Sequence, residues 1–277
     1  MFEKYITEWY SSRQLADQKN KKEYRVQQNI QYCLDQNRIT CIDEVFDGVD
    51  HIMIDGYWLP GKRNERKILL VYYAHQIEKV IWFSIRDGEK KEYIREDLRF
   101  LRDAMGYKIL SCTSDGWIWI LAALKEIYPE CIIQRCLVHI QRQVRNYISW
   151  NPKTPAGKEL LWIMNYSTFS DPEAFPKLFA NWKQEYFSFL IEKSISRKGW
   201  WIFTHTSLRK AMRHIENALP YMFQSYVYNV SGIERTSNKI EWYFWVFAEE
   251  WIKEHKGLSE CRLYSFVAIW IYLRNQI

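Results

Sequence analysis

CTSDGWIWILAALKEI, residues 112–127, decides how the rest of the chain is read. YKILSCTS (107–114) is short and rich in β-prone apolar residues, and the apolar run that follows SDG is long and made of helix formers. The junction therefore reads strand, turn, helix, with Asp115 at the carboxyl end of the strand. In an open α/β sheet that edge is where ligands and catalytic groups collect. Aspartate is also a good helix N-cap, so Asp115 alone is open between a cap and a chemical role, and its partners decide.

Upstream, HIMIDGYWL (51–59) reads as a strand carrying Asp55, followed by a basic loop, PGKRNERK (60–67), and two further short strands, ILLVYYA (68–74) and KVIWFSI (79–85). Short connections make these three an antiparallel meander. Asp55-Gly56 is also a common hairpin-turn pair. A turn there, however, would leave two four-residue strands and put Tyr57 and Trp58 at a tip. EKKEYIREDLRFLRDAM (89–105) is an amphipathic helix with Ile94, Leu98, Leu101 and Met105 on one face. Downstream of residues 112–127 come a strand, ECIIQRCLV (130–138), and a basic helix, HIQRQVRNYI (139–148).

The order β-β-β-α-β-α-β-α is a ribonuclease-H-like α/β arrangement: a mixed sheet in which a meander is followed by parallel crossover strands. In that topology the first and fourth strands are neighbours, which would put Asp55 and Asp115 side by side. Adjacent carboxylates repel, and a divalent cation relieves the repulsion. Mg²⁺ takes hard oxygen ligands, and two such ions about 3.5–4 Å apart clamp the attacking and leaving oxygens of a phosphodiester. Such a site needs a third acid.

Residues 150–232 interrupt the β/α alternation with helical material, including SLRKAMRHIENALPYMF (207–223), in which His214 reads as an ordinary helix residue. ERTSNKIEWYFWVFAEEWIKEHKG (234–257) is a helix ending near Gly257, with Glu241 in its first turn. Asn238 as N-cap with Glu241 three residues on is also a capping box; Glu249 and Glu250 read as a solvated face. The expected organisation is a helical segment over 1–43, a core over 44–149, a helical insertion over 150–232, and C-terminal helices completing the core over 233–277.

In the first segment, SSRQLADQ (11–18) and EYRVQQNIQYCLDQ (23–36) are two short helices joined by a basic turn, the second with Val26, Ile30, Cys33 and Leu34 in one apolar stripe. They fit either a helix-turn-helix presenting Arg25, Gln27, Gln28 and Gln31 to a DNA groove or a plain helical hairpin packed on the main body. Hydrophobic residues at 48% and charged residues at 26% of the 277 exclude a disordered chain. Aromatics reach 17% and net charge is +6. Aromatics interleaved with Lys and Arg suit a nucleic-acid surface, as they also suit thick aromatic cores. The six cysteines contain no Cys-x-x-Cys pair and the start has no signal-peptide pattern, so a reducing cytoplasm is expected. The apolar run LYSFVAIWIYL (263–273) spans about 16 Å as helix against a hydrocarbon layer of about 30 Å, and reads as a buried helix.

These motifs together resemble the mutator-type (MULE-related) bacterial insertion-sequence transposases with an Asp-Asp-Glu catalytic domain. IDGYWL resembles the family's first-Asp strand and SDGW its second-Asp turn. QRCLVHIQRQVRNY resembles its Cys-x-x-His segment, TSNKIE its Thr-Thr-Asn-x-Ile-Glu motif, and KGLSECR the tract that follows. The similarity runs from about residue 48 to the C-terminus, with Trp242 standing where the family commonly has glycine. The resemblance implies Asp55, Asp115 and Glu241 as metal-binding catalytic acids, holding Mg²⁺ with Mn²⁺ able to substitute, and Cys136, His139 and Asn238 as accessory residues. Cys-x-x-His alone supplies two ligands where structural zinc takes four.

Its implied activity is cutting of element ends and joining of the freed 3′-hydroxyls to target DNA. The implied partner is double-stranded DNA, both terminal repeats and target, bound by a homo-oligomer at the bacterial nucleoid and not by a membrane protein. Lys62, Arg63, Arg66 and Lys67 in the loop after the first strand, with Arg135, Arg142 and Arg145 near the Cys-x-x-His segment, are the candidate phosphate contacts. A ribonuclease-H-like nuclease or resolvase using the same acids, and a non-catalytic DNA-binding relic, are the alternatives.

Overall fold

A computed structural model describes residues 2–7, 10–36, 44–59, 67–228, 232–247 and 259–276. The chain divides into two compact units, one made of 1–112, 118–131 and 238–277 and the other of 113–117 and 132–237. It is a mixed α/β protein. Its main sheet has the order β3-β2-β1-β4-β5 and contains both parallel and antiparallel neighbours.

The first unit is built on a meander of β1 (His51–Trp58), β2 (Ile68–Ala74) and β3 (Lys79–Arg86), all antiparallel. Every residue of β2 is buried, as befits a strand covered on both faces and paired on both edges. Alternation sorts the side chains. Met53, Leu69, Val71, Tyr73, Phe83 and Ile85 share one face and enter a core with α12 (Asn238–Trp245) and α13 (Glu260–Asn275). Tyr72, Trp82 and Ser84 point to the other face, where α4 (Lys91–Asp103) lies. Trp82 packs on Phe100 with ring centroids 4.4 Å apart, and the buried Asp97 carboxylate accepts from Tyr72 Oη, Ser84 Oγ and Arg86.

The N-terminal helices α1 (Phe2–Thr7), α2 (Ser12–Gln18) and α3 (Glu23–Gln36) belong to the same core: Leu15, Val26, Ile30 and Leu34 are buried in it. Arg262 of α13 clasps Asp35 of α3 through two hydrogen bonds of 3.0 and 2.9 Å. The apolar stripe read from sequence is thus spent on packing, while Arg25, Gln27, Gln28 and Gln31 stay exposed. The α13 helix carries the expected buried run, Phe266–Ile271. No helix among the described residues is long and apolar enough to cross a membrane.

β4 (Ser111–Ser114) starts in the first unit and ends in the second, and α5 (Ile118–Ile127) returns to the first. In the second unit β5 (Ile132–Arg135) is shorter than the sequence suggests, because α6 (Leu137–Ile148) begins two residues early. Leu137, Ile140 and Val144 form a helical stripe, buried with α7 (Pro155–Ser170), α8 (Ala174–Glu185) and α10 (Thr206–Ala218), so Leu137 and Val138 are helix and not strand. Trp182 is fully buried there, its indole N–H on Ala156 O at 2.9 Å. Between α9 (Phe187–Ile191) and α10 the stretch expected to be helical instead forms a hairpin, β6 (Lys193–Ile195) and β7 (Trp201–Phe203), and the short helix α11 (Gln224–Val227) follows α10.

Candidate active site

Asp115 follows the last residue of β4 and is half-buried. Its Oδ1 accepts the Trp117 N–H at 2.9 Å, and Gly116 between them has φ +86°. A residue at that φ cannot be a first helical turn, so Asp115 closes a turn ahead of α5 and is not its N-cap. Beneath the turn lies Arg135, 7% exposed, whose guanidinium donates to the Asp115 carbonyl at 3.2 Å. Burial lowers the Arg135 pKa, while the Asp115 charge pulls the other way. A Cβ on Gly116 would fall 1.8 Å from Arg135 Nε. Glycine is therefore required twice over, by backbone φ and by the arginine packed against it.

The end of β5 is tied to the end of β4 by a 2.7 Å hydrogen bond from Cys136 N to Ser114 O. Cys136 occupies the N-cap of α6 and is fully buried. One turn on, His139 approaches Ser237, with Nδ1 3.3 Å from Ser237 Oγ, and the Ser237 amide donates to Cys136 Sγ at 3.2 Å. Burial by itself would raise the Cys136 thiol pKa; hydrogen bonds from His139 and Ser237 outweigh it and bring the pKa below its ordinary value. The segment before α12 is tied to β4 and to the start of α6 by Thr113 Oγ1 on Glu234 O at 2.7 Å and Leu137 N on Arg235 O at 3.0 Å. Cys136, His139 and Ser237 are thus brought together in the second unit, with Asp115 one residue past Ser114, the backbone partner of Cys136. Ser237 was not singled out from sequence. Its signal was a small polar residue directly ahead of the helix that carries the third acid.

Asp55 and Glu241 belong to the first unit. Asp55 lies on β1 between Met53 and Tyr57 on one face, opposite Val71, and its Oδ1 accepts the Gly56 N–H at 2.8 Å. Gly56 is paired with Leu70 inside a continuous strand, so no hairpin turn exists at Asp55-Gly56. Ile68 packs so closely that a Cβ there would meet its Cδ1 at 2.6 Å. α12 packs across this face: Tyr57 stacks on Phe244 with centroids 5.7 Å apart and meets Phe247 edge-on. Glu241 is three residues before Phe244 and so on the same side of α12. Both carboxylates are half-buried. Asn238 is the first residue of α12 and is exposed, one position later than the cap read from sequence.

Of the basic candidates, Lys62, Arg63 and Arg66 lie outside the described residues, as do Glu249, Glu250 and Gly257. Arg142 is exposed on α6. Arg145 donates to Asn165 Oδ1 at 2.6 Å and sits 4.4 Å over the exposed Trp150 ring. Arg135 is buried and supports the Asp115 turn. His214, taken from sequence as unexceptional, has its pKa pushed down to about 4, first by burial and then by the Arg135 charge.

The donor chemistry of Asp55, Asp115 and Glu241 is all carboxylate oxygen, which suits a hard divalent cation. Cys136 and His139 offer one soft and one borderline ligand. Residues 75–216, a little over half of the chain, match the family model described as Transposase, Mutator family. The matched stretch contains Asp115, Cys136 and His139; Asp55 and Glu241 fall on either side of it. Comparison with curated proteins gives no match.

Proposed function

The chain belongs to the Mutator family of transposases, and from that premise we propose that it cuts the ends of a mobile DNA element and joins them to target DNA through Asp55, Asp115 and Glu241. The observation that carries this reading is topological. The sheet order sets β1, which bears Asp55, beside β4, which delivers Asp115, and α12 with Glu241 packs on β1. An antiparallel meander followed by crossover strands in that order supports a ribonuclease-H-like core.

The three acids would hold Mg²⁺, with Mn²⁺ able to substitute, and the bound cation would supply Lewis-acid activation of water and charge stabilisation at phosphorus. The chain's own residues do the rest. The Trp117 amide and Gly116 fix the Asp115 rotamer, and Gly56 fixes that of Asp55. Arg135 offsets part of the Asp115 charge. In the cut, the phosphodiester exchanges its 3′-oxygen for a water oxygen and releases a 3′-hydroxyl. In the joining step, that hydroxyl displaces a 3′-oxygen of target DNA, one P–O bond forming for each that breaks. No covalent protein intermediate is needed. Cys136, His139 and Asn238 act as accessory groups, the first two locking the segment before α12 through Ser237. Exposed Arg142 and the Arg145–Trp150 pair serve as phosphate contacts. Lys62, Arg63 and Arg66 serve likewise, and a homo-oligomer brings two ends together.

The test is a cleavage and strand-transfer assay on the flanking-repeat DNA with Mg²⁺ or Mn²⁺, comparing the protein with Asp115→Asn. Joined products that vanish in the variant support the reading. Cutting without joining points to a nuclease. Binding by both proteins with no cutting by either makes the chain a non-catalytic DNA-binding relic.

A further inference from the structure

The second unit ends its helical run Phe187–Ile191 in the hairpin β6–β7, whose sequence, KSISRKGWWIF (193–203), contains three cations and no acid. Its large side chains face water: Trp200 is 71%, Trp201 69% and Ile195 62% exposed. Ile195 and Trp201 are directly paired across the strands and so share a face. The tip is well formed, with Ser196 N on Trp200 O at 2.8 Å, Gly199 N on Ser196 O at 2.9 Å, and Trp200 N on Ser196 Oγ at 3.1 Å. The base is anchored by Thr204 N on Glu192 O at 2.9 Å and by Arg209, 3.6 Å over the Phe203 ring. Two indoles held in water on a rigid, cationic tip have no structural use in the fold, and an apolar patch of this kind marks an interaction surface.

We propose that the β6–β7 hairpin is a base-stacking element that binds unpaired bases at the cut end of the DNA, Trp200 and Trp201 stacking on them while Arg197 and Lys198 hold the flanking phosphates; this rests on the transposase reading above. The chemistry selects the occupant. Indole faces want a flat π-partner, and the tip cations want negative charge; single-stranded nucleic acid supplies both in alternation. Stacked bases inside a duplex offer no face, so the partner is a frayed or unpaired segment. A second copy of this chain would bring Arg197 and Lys198 against their own kind, which disfavours self-docking through the tip. At the base of the hairpin a cleft of about 410 Å³ is lined by Lys153, Thr154, Thr206 and Ser207 at the starts of α7 and α10. Helix starts with hydroxyl and lysine side chains receive phosphate oxygens readily, which gives the backbone of such a strand a path beside the hairpin.

The experiment measures binding of the full chain to a duplex with several unpaired bases at one end and to the same duplex fully paired, with 2-aminopurine at the unpaired position. Base–aromatic stacking is worth about 1–3 kcal/mol per base. The Trp200→Ala/Trp201→Ala variant, which removes two stacking faces, should therefore bind the frayed duplex at least about 30-fold more weakly, lose the 2-aminopurine quench and bind the paired duplex as before. Trp201→Phe should keep the quench. Arg197→Ala/Lys198→Ala should weaken both duplexes and lower the salt slope by about two charges. The idea is overturned if the double Trp variant binds frayed DNA like the parent. It is equally overturned if that variant's changed property is self-association, or adsorption to vesicles of anionic phospholipid. Parent protein that discriminates frayed from paired DNA but never cuts with Mg²⁺ or Mn²⁺ sinks the catalytic proposal and leaves the hairpin proposal standing. Parent protein that cuts while the Trp variant is indistinguishable does the reverse.

Discussion

Gly116→Ala is the sharpest single test of the Asp115 turn. The new Cβ would lie 1.8 Å from Arg135 Nε, 2.4 Å from Cζ and 2.7 Å from Cδ. Arg135 is buried and tied to the Asp115 carbonyl, so the clash is with the middle of a confined side chain and not with a free tip. Forcing it aside should cost about 1–3 kcal/mol, as overpacking does. Holding alanine at φ +86° adds about 1–2 kcal/mol, for a total of about 2–5 kcal/mol. In an Arg135→Ala background the steric part has no partner, and only the backbone part should remain. The double-mutant cycle read by urea unfolding should thus give a coupling of about 1–3 kcal/mol. If Gly116→Ala costs the same in both backgrounds to within about 0.5 kcal/mol, the packing of Arg135 under the turn is refuted. Under conditions where Gly116→Ala is fully folded, DNA cleavage should still fall, because the turn that aims Asp115 has moved.

Three further outcomes follow from buried polar groups. Asp97→Ala should destabilise by about 3–5 kcal/mol in chemical denaturation, since it leaves the Arg86 charge without its buried carboxylate and strands the fully buried Tyr72 hydroxyl; a cost under about 1 kcal/mol would refute that account. Asn275 closes the edge of β3 with two hydrogen bonds to Val80, 3.0 Å from its N–H and 2.8 Å to its carbonyl. Asn275→Ala should cost about 1–3 kcal/mol and speed hydrogen exchange at Val80 N–H. His214 has its folded pKa lowered from 6.5 to about 4, so its neutral form is the one the fold accepts. As pH falls from 6.5 the unfolded chain takes up this proton first, so stability is full above about pH 6.5 and is lost down to about pH 4. His214→Leu should flatten the denaturation midpoint across that window, and an unchanged slope would show that the histidine is solvated.

What could be read from the sequence was what short-range pattern governs. β2 matched the run 68–74 to the residue because seven consecutive buried residues bounded by polar turns leave no other register. Asp55-Gly56 could be kept inside a strand because the alternative stranded two aromatics, and the reason Gly56 is there, Ile68 pressing on it, is a cross-strand contact that no local pattern carries. The sequence places Cys136 in the strand 130–138; the stripe Leu137, Ile140, Val144 finds its partner only in the helical insertion, and with that partner a helix is the better use of those residues. The β6–β7 hairpin escaped for the opposite reason. Its strands are three residues each and its aromatics face water, so neither helical nor alternating burial marks them.

The same distinction separates the two kinds of site residue. Asp55 and Asp115 each sit beside a glycine that is forced by packing, Ile68 in one case and Arg135 in the other. An Asp-Gly pair, inside a strand at Asp55 and just past one at Asp115, therefore carries information beyond a turn signal: the glycine admits a neighbour against the backbone beside the carboxylate. Arg135 shows the consequence. Read alone it is a basic residue in a basic stretch, and a phosphate contact is its natural assignment. Burial changes its part, because a desolvated guanidinium bonded to the Asp115 carbonyl is held away from a DNA backbone, yet it can balance the Asp115 charge beside it. Arg135→Lys separates these parts: lysine keeps the charge but loses the planar donor geometry. It should spare DNA affinity while disturbing the Asp115 turn, whereas a phosphate contact would answer in affinity and salt dependence first.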